Sequence, residues 1–156
     1  MYKRQASAYS AAKNGAKVIL AEDKSRFGGT LLTSEVNIGN QSGKEWADSI
    51  ISELKEMPNV TVKNRSQVFG YYDHNMLVMS ERISDHLPKT KKFHPKQRLW
   101  YIRAKEVLIS SGSIERPIVF GNNDTPGVMF SSIPLQLKTT LRLSLIHISE
   151  PTRRSD

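Results

Sequence analysis

The 156-residue chain contains no cysteine. A disulfide framework, a thiolate nucleophile and a cysteine-ligated metal are therefore excluded. No apolar run approaches membrane-spanning length, and nothing resembles a secretory signal. The expected location is the cytoplasm, with no membrane partner. Internal repeats and low-complexity segments are absent as well. Acidic side chains are outnumbered: 15 Asp and Glu stand against 23 Lys and Arg, leaving a formal charge of +8. Such a surplus draws anionic ligands or nucleic acid, but it specifies neither.

Two strand-and-turn signals stand out among the residues that are present. The first is Asn14-Gly15-Ala16-Lys17-Val18-Ile19-Leu20-Ala21-Glu22-Asp23. Residues 6–14 are alanine-rich and favour helix, and Gly15 suits the left-handed position just past a helix end. Val18-Ile19-Leu20 then reads as a buried strand ending on two carboxylates. In a dinucleotide-binding βαβ unit, an acid at that place accepts hydrogen bonds from ribose hydroxyls. Gly28-Gly29-Thr30 follows as a turn with a hydroxyl donor. The second signal is Val107-Leu108-Ile109-Ser110-Ser111-Gly112. It predicts a buried parallel strand ending in a tight bend, where ligands of open α/β sheets sit. The acid pair and the Ser111-Gly112 bend are expected to face one nucleotide cleft.

A first strand and a glycine-rich phosphate loop are expected ahead of this unit, but only residues 1–5 precede the helix. Residues 143–156 begin with a translation of a transposase sequencing adapter, and residues 1–5 match its reverse complement. The expectation is a partial dinucleotide-binding domain over 6–142, with 1–5 and 143–156 as adapter-derived tails. Without the phosphate loop, NAD is expected to bind weakly or not at all.

Between the two signals, Ser42-Gly43-Lys44-Glu45 has capping-box spacing, and Trp46, Ile50, Ile51 and Leu54 fall on one helical face. Met57-Pro58-Asn59 stops that helix. Strands are predicted at 60–62, 66–72, 76–80 and 97–104, the last three as an antiparallel meander. Pro126-Gly127 is a turn, and 133–141 reads as a helix. Tyr71, Tyr72, Trp100 and Tyr101 are expected to pack on the strands rather than stack bases. Asp73-His74 reads as a turn with a solvated ring. Lys89, Lys91, Lys92, His94, Lys96 and Arg98 read as a solvated connection, with an acidic partner or nucleic acid as the functional alternative.

These residues also carry a family resemblance. Glu22 with Gly28-Gly29-Thr30-Leu31, Val68-Phe69-Gly70-Tyr71-Tyr72-Asp73-His74-Asn75, Gln97-Arg98-Leu99-Trp100-Tyr101-Ile102-Arg103-Ala104-Lys105, Ser111-Gly112-Ser113-Ile114-Glu115-Arg116-Pro117 and Asn122-Asn123-Asp124-Thr125-Pro126-Gly127-Val128-Met129 resemble the alpha subunit of heterotetrameric sarcosine oxidase. The resemblance implies an α/β fold: an incomplete Rossmann-like dinucleotide-binding domain with an antiparallel β-meander, lacking its first strand and phosphate loop. It implies NAD as ligand, with FAD and FMN in the complete complex, and a flavin-bearing beta subunit among the partners. The cofactor-binding residues implied are Glu22, Asp23, Lys24, Gly29, Thr30, Val68 and Gly112. Glu22 would hold the ribose, Lys24 would screen the acids or meet the adenine edge, Thr30 would donate to ribose or pyrophosphate, and the Val68 backbone would pair with adenine. No catalytic residue and no metal ligand is assigned. The implied role is the NAD-binding portion of an oxidoreductase converting sarcosine to glycine, inactive as an isolated piece. The alternatives are a related amine or opine dehydrogenase or cyanide synthase subunit and, from another class, a small basic nucleic-acid-binding module; nucleic acid is not the expected partner.

Overall fold

The computed structural model describes residues 3–88, 93–113, 116, 118–126 and 128–130. The chain opens with helix α1 (Lys3–Lys13), which starts ahead of the expected residue 6 and so includes Lys3, Arg4 and Gln5. Gly15 ends it with a φ of +81°, in the left-handed region where a Cβ is costly. The Asn59 amide donates to the carbonyls of Ala12 and Ala16 at 2.9 and 2.7 Å, tying the end of α1 and the turn after it to the start of β4.

Strand β1 (Val18–Ala21) follows. A short 3₁₀ turn, Gly29–Leu32, stands where the sequence suggests only a flexible bend. A two-residue hairpin, β2 (Asn37–Ile38) with β3 (Gln41–Ser42), leads into helix α2 (Gly43–Glu56). Its capping box is formed: Glu45 N donates to Ser42 Oγ at 3.2 Å, and Ser42 N donates to Glu45 Oε2 at 3.0 Å. The carboxylate's bonds to the Ser42 backbone and side chain hold the Glu45 pKa below the usual carboxylate range. Met57 ends the helix, and β4 (Val60–Lys63) returns beside β1 in parallel, pairing Val18 with Val60 and Ala21 with Lys63. The result is a β1–α2–β4 crossover, the arrangement parallel strands require.

Ala8, Ala12, Leu20, Phe27, Ile50, Ile51 and Leu54 form one buried cluster, with Tyr9, Val18, Trp46, Val60 and Val62 packed against it. Both helices thus cover the face of the parallel pair that carries Val18, Leu20, Val60 and Val62. The helical face expected from Trp46, Ile50, Ile51 and Leu54 is the face that is buried.

Strands β5 (Ser66–Tyr72), β6 (Met76–Arg82) and β7 (Gln97–Arg103) form the antiparallel meander, in the order β5-β6-β7. A register irregularity falls between Val68 and Gly70. The Asp73–Asn75 turn joins β5 to β6, with exposed His74 at φ +57°. Of the four aromatics expected to pack, only Trp100 is partly covered; Tyr71, Tyr72 and Tyr101 are 56%, 53% and 70% exposed.

A predicted strand is also overturned. Residues 107–111 form no strand, and Leu108 and Ile109 are 68% and 71% exposed. The described parallel sheet has only two strands, β1 and β4, and neither takes this run as a partner. An apolar run cannot be buried in a sheet unless a neighbouring strand accepts its backbone hydrogen bonds. The predicted helix at 133–141 lies outside the described residues, as do Lys89, Lys91 and Lys92 of the basic run.

Candidate functional site

Several of the residues expected to form the site gather at the end of β1. Glu22 N donates to Lys63 O at 2.9 Å, so the parallel ladder carries the chain one residue past β1 before it turns. Two backbone bonds then join this turn to the start of β5: Ser66 N to Glu22 O at 2.8 Å and Arg65 N to Lys24 O at 2.9 Å. The acid pair is thereby fixed against the meander.

Glu22 is only 5% exposed, while Asp23 is open to solvent. Lys24 N donates to Glu22 Oε1 at 3.2 Å, and the Arg4 guanidinium lies 3.2 Å from Glu22 Oε2. Burial pushes the Glu22 pKa above the usual carboxylate range, assisted by a hydrogen bond with Asp23 and opposed by Lys24 N and Arg4. That same hydrogen bond pulls the Asp23 pKa down. Lys24 Nζ sits 3.7 Å from Asp23 Oδ2, and Arg82 donates to the Asp23 carbonyl at 2.9 Å.

The backbone of Val68 faces the same turn. Arg82 N donates to Arg65 O at 2.9 Å, which makes that cross-strand pair a hydrogen-bonded one. Hydrogen-bonded and non-bonded pairs alternate along an antiparallel ladder. Ser66–Glu81 and Val68–Met79 are therefore non-bonded pairs, so Ser66 and Val68 turn their main-chain groups away from β6. Ser66 N confirms this by bonding Glu22 O. Val68 presents its N–H and C=O along the same edge, two residues further on. A carboxylate for a diol and a strand edge for a heterocycle suit an adenosine group, except that Arg4 stands on the carboxylate.

A cleft of about 430 Å³ opens beside this turn, lined by Asp23, Lys24, Gln67, Ser80, Arg82 and Gln97. The sequence reading missed Arg82, Gln67, Ser80 and Gln97 as its lining. Only strand register brings them to residues far earlier in the chain, and no local motif marks them. It also missed Arg4, set apart in the expected tail.

Gly29 opens the 3₁₀ turn with φ +55°, and Thr30 is exposed beside it. Gly112 has φ +82° and is exposed. Among the described residues, no hydrogen bond joins Thr30 or Gly112 to Glu22, Asp23 or Lys24. The structure thus gathers Glu22, Asp23, Lys24 and Val68 and shows no such link to the other predicted contacts. No cluster of metal-ligating side chains occurs among the described residues, and no described helix is long and apolar enough to cross a membrane.

No protein-family model matches the chain. Its sequence is 40% identical over 126 residues to sarcosine oxidase subunit alpha of Rhizobium meliloti (strain 1021). It is 37% identical over 128 residues to the same subunit of Corynebacterium sp. (strain U-96), and 36% to that of strain P-1. Each match covers 81% of this chain and 13% of the relative. The fold is similar to that of L-proline dehydrogenase from P. horikoshii, with a TM-score of 0.65 over 90% of this chain and 27% of that one. At 19% identity that likeness concerns the fold alone. The sequence likeness is closer: across four-fifths of its length, the chain is similar to a segment of sarcosine oxidase alpha subunits, the family to which its motifs point.

Proposed function

We propose that this chain is the NAD-binding portion of an oxidoreductase subunit that works with a flavin-bearing partner in oxidising sarcosine to glycine. Supporting this are the sarcosine oxidase alpha-subunit relatives and the Glu22 carboxylate at the end of β1 beside the free backbone edge of Val68. The geometry at Glu22 carries the reading.

Glu22 would accept the adenosine ribose hydroxyls, as an acid at the end of a dinucleotide-binding strand does. Its burial keeps water from competing for those bonds. Val68 would pair its N–H and C=O with the adenine edge. Asp23 and Lys24 would border the ribose and the base, and Gly29, Thr30 and Gly112 would approach from the flanking loops. Bound NAD supplies a hydride acceptor at its nicotinamide. The residues gathered here serve the opposite, adenosine end, so their task is holding and orienting rather than proton transfer. The catalytic groups of the oxidation, FAD and FMN would belong to the larger assembly, together with the beta subunit. The domain would then be Rossmann-like, with β1, α2 and β4 as one of its parallel units.

The test is saturation-transfer NMR on the full chain with millimolar NAD, which detects weak ligands. Adenine and ribose protons should receive saturation, and Glu22→Gln should weaken it. Equal signals from both proteins would reject the reading.

A further inference from the structure

We propose that the cleft beside the acid pair holds a phosphate monoester carried on the ribose of a nucleotide at Glu22. The site would then take 2′-phosphorylated adenosine groups as well as unphosphorylated ones. The inference rests on the adenosine reading of Glu22 and extends the ligand class of that site.

The floor of the cleft is one face of the meander. Side chains alternate along a strand, and directly opposed residues share a face. Ser80 and Arg82 therefore lie on the same side of β6, with Gln67 opposite Ser80 on β5 and Gln97 opposite Arg82 on β7. Asp23 and Lys24 complete the lining, and Arg82 Nη2 reaches the Asp23 carbonyl at 2.9 Å. These two residues directly follow Glu22, so the cleft opens next to the group that would hold the ribose.

Every side chain of the lining except Asp23 can donate a hydrogen bond. A guanidinium carries several N–H donors, and among the described residues the Arg82 side chain spends only Nη2. Gln97 gives an amide hydrogen to Asp85 Oδ2 at 2.8 Å and keeps a second. The side chains of Gln67 and Ser80 have no hydrogen-bond partner among the described residues. Two cations, Lys24 and Arg82, stand against the single carboxylate of Asp23, which already has Lys24 Nζ 3.7 Å away. The lining is therefore net positive and rich in donors.

Such a lining suits an anion with many acceptor oxygens. A phosphate monoester presents three strong acceptors, and arginine pairs with it well. In dinucleotide folds, an arginine near the strand-end acid accommodates a ribose 2′-phosphate. With that oxygen esterified, Glu22 would keep the 3′ hydroxyl as its donor. Asp23 opposes the phosphate, because its hydrogen bond with Glu22 holds its pKa low. Neutralising Asp23 should therefore help.

The test uses the full chain and three probes: adenosine 2′-monophosphate, adenosine and inorganic phosphate. Each is titrated by NMR, following the amides of Ser80, Arg82 and Gln97. The 2′-monophosphate should bind about tenfold more tightly than adenosine at low salt, as hydrogen bonds to charged groups allow. Arg82→Gln and Ser80→Ala should narrow that ratio with adenosine affinity unchanged, and Asp23→Asn should widen it. Ser80→Ala breaks no described hydrogen bond, so it carries the test if Arg82→Gln fails to fold. A 2′-monophosphate that binds no better than adenosine overturns the proposal; if Glu22→Gln still weakens adenosine, the adenosine reading stands without it. Inorganic phosphate binding as tightly as the 2′-monophosphate indicates a free-anion site only and overturns the nucleotide assignment. A ratio unchanged in both Arg82→Gln and Ser80→Ala places the phosphate elsewhere, with the same result. Adenosine binding that is indifferent to Glu22→Gln removes the adenosine reading and this proposal together.

Discussion

Lys63 Nζ lies 3.0 Å from Glu81 Oε1, tying the last residue of β4 to the middle strand of the meander. The second oxygen of Glu81 accepts from Trp100 Nε1 at 2.7 Å, and the Lys63 ammonium stands 4.6 Å from the centre of the Trp100 ring. The two sheets share no strand ladder. This three-residue joint, with the backbone bonds at Glu22 and Lys24, sets the angle at which β5 meets the acid pair.

Glu81→Gln should destabilise the fold by about 1–3 kcal/mol, because it leaves Lys63 partly buried without its counter-charge. The pH dependence has a definite sign. Burial raises the Glu81 pKa, but the Lys63 and Trp100 hydrogen bonds and the nearby cations outweigh it and hold it low. A depressed carboxylate stabilises the fold above its unfolded pKa, and that share is lost as pH falls through the folded pKa. Urea midpoints measured down the acid range should fall less steeply in Glu81→Gln than in the parent. Parallel curves would show that the joint carries no linkage.

The start of α2 gives a simpler test. Ser42→Ala removes the acceptor of the Glu45 amide and half of the capping box, at a cost of about 1 kcal/mol. Amide exchange in the first turn of α2 should accelerate while its last turn stays protected. Uniform acceleration along the helix would mean that the cap acts on the whole fold.

That cap illustrates what was legible beforehand. Ser42 and Glu45 stand three apart, and the bonds they make are dictated locally. The same holds for β5, where the predicted 66–72 run matches the strand, and for Gly15, whose left-handed φ follows from the helix end. Residues 107–111 were misread for the opposite reason. Their apolar character is local, but burial in a sheet depends on a neighbour that periodicity cannot report. The site divides the same way. Glu22, Asp23 and Lys24 announce themselves at a strand end. Arg82 reaches the Asp23 carbonyl across 59 residues, through a register no motif encodes. The contact between Arg4 and Glu22 likewise joins distant positions that no motif pairs.

Three substitutions probe the packing beside the acid pair. Leu54 is fully buried in the cluster between the helices and the parallel pair, and Leu54→Ala should cost about 2–5 kcal/mol. Gly28 has φ +120°, and a Cβ there would meet Leu32 Cδ2 at 2.9 Å. Gly28→Ala is therefore strained in backbone and crowded in space, and thermal melting should show destabilisation of about 1–3 kcal/mol. Gly39, also at positive φ, has open space around it. Gly39→Ala should cost less, so equal losses at the two positions would rule out crowding as the cause.

Glu22 itself predicts a pH effect opposite in sign to that of Glu81. Burial, and next the hydrogen bond to Asp23, raise its pKa. A raised carboxylate contributes stability that is fully present below its unfolded pKa and is lost as pH rises through the folded value. Asp23, held low by the shared hydrogen bond, titrates the other way: its share exists above its unfolded pKa and disappears as pH falls. Above the ordinary carboxylate range, Glu22 is the member of the pair still losing a proton. Gln at position 22 keeps the shape and an acceptor for Lys24 N but cannot ionise. The stability of the parent relative to Glu22→Gln should therefore decline as pH rises above the reference carboxylate value of about 4.3. Urea midpoints of both proteins across that rise provide the measurement. A difference that stays constant would mean that Lys24 N and Arg4 fully offset burial and the Asp23 hydrogen bond, leaving Glu22 to titrate alike in the folded and unfolded chain.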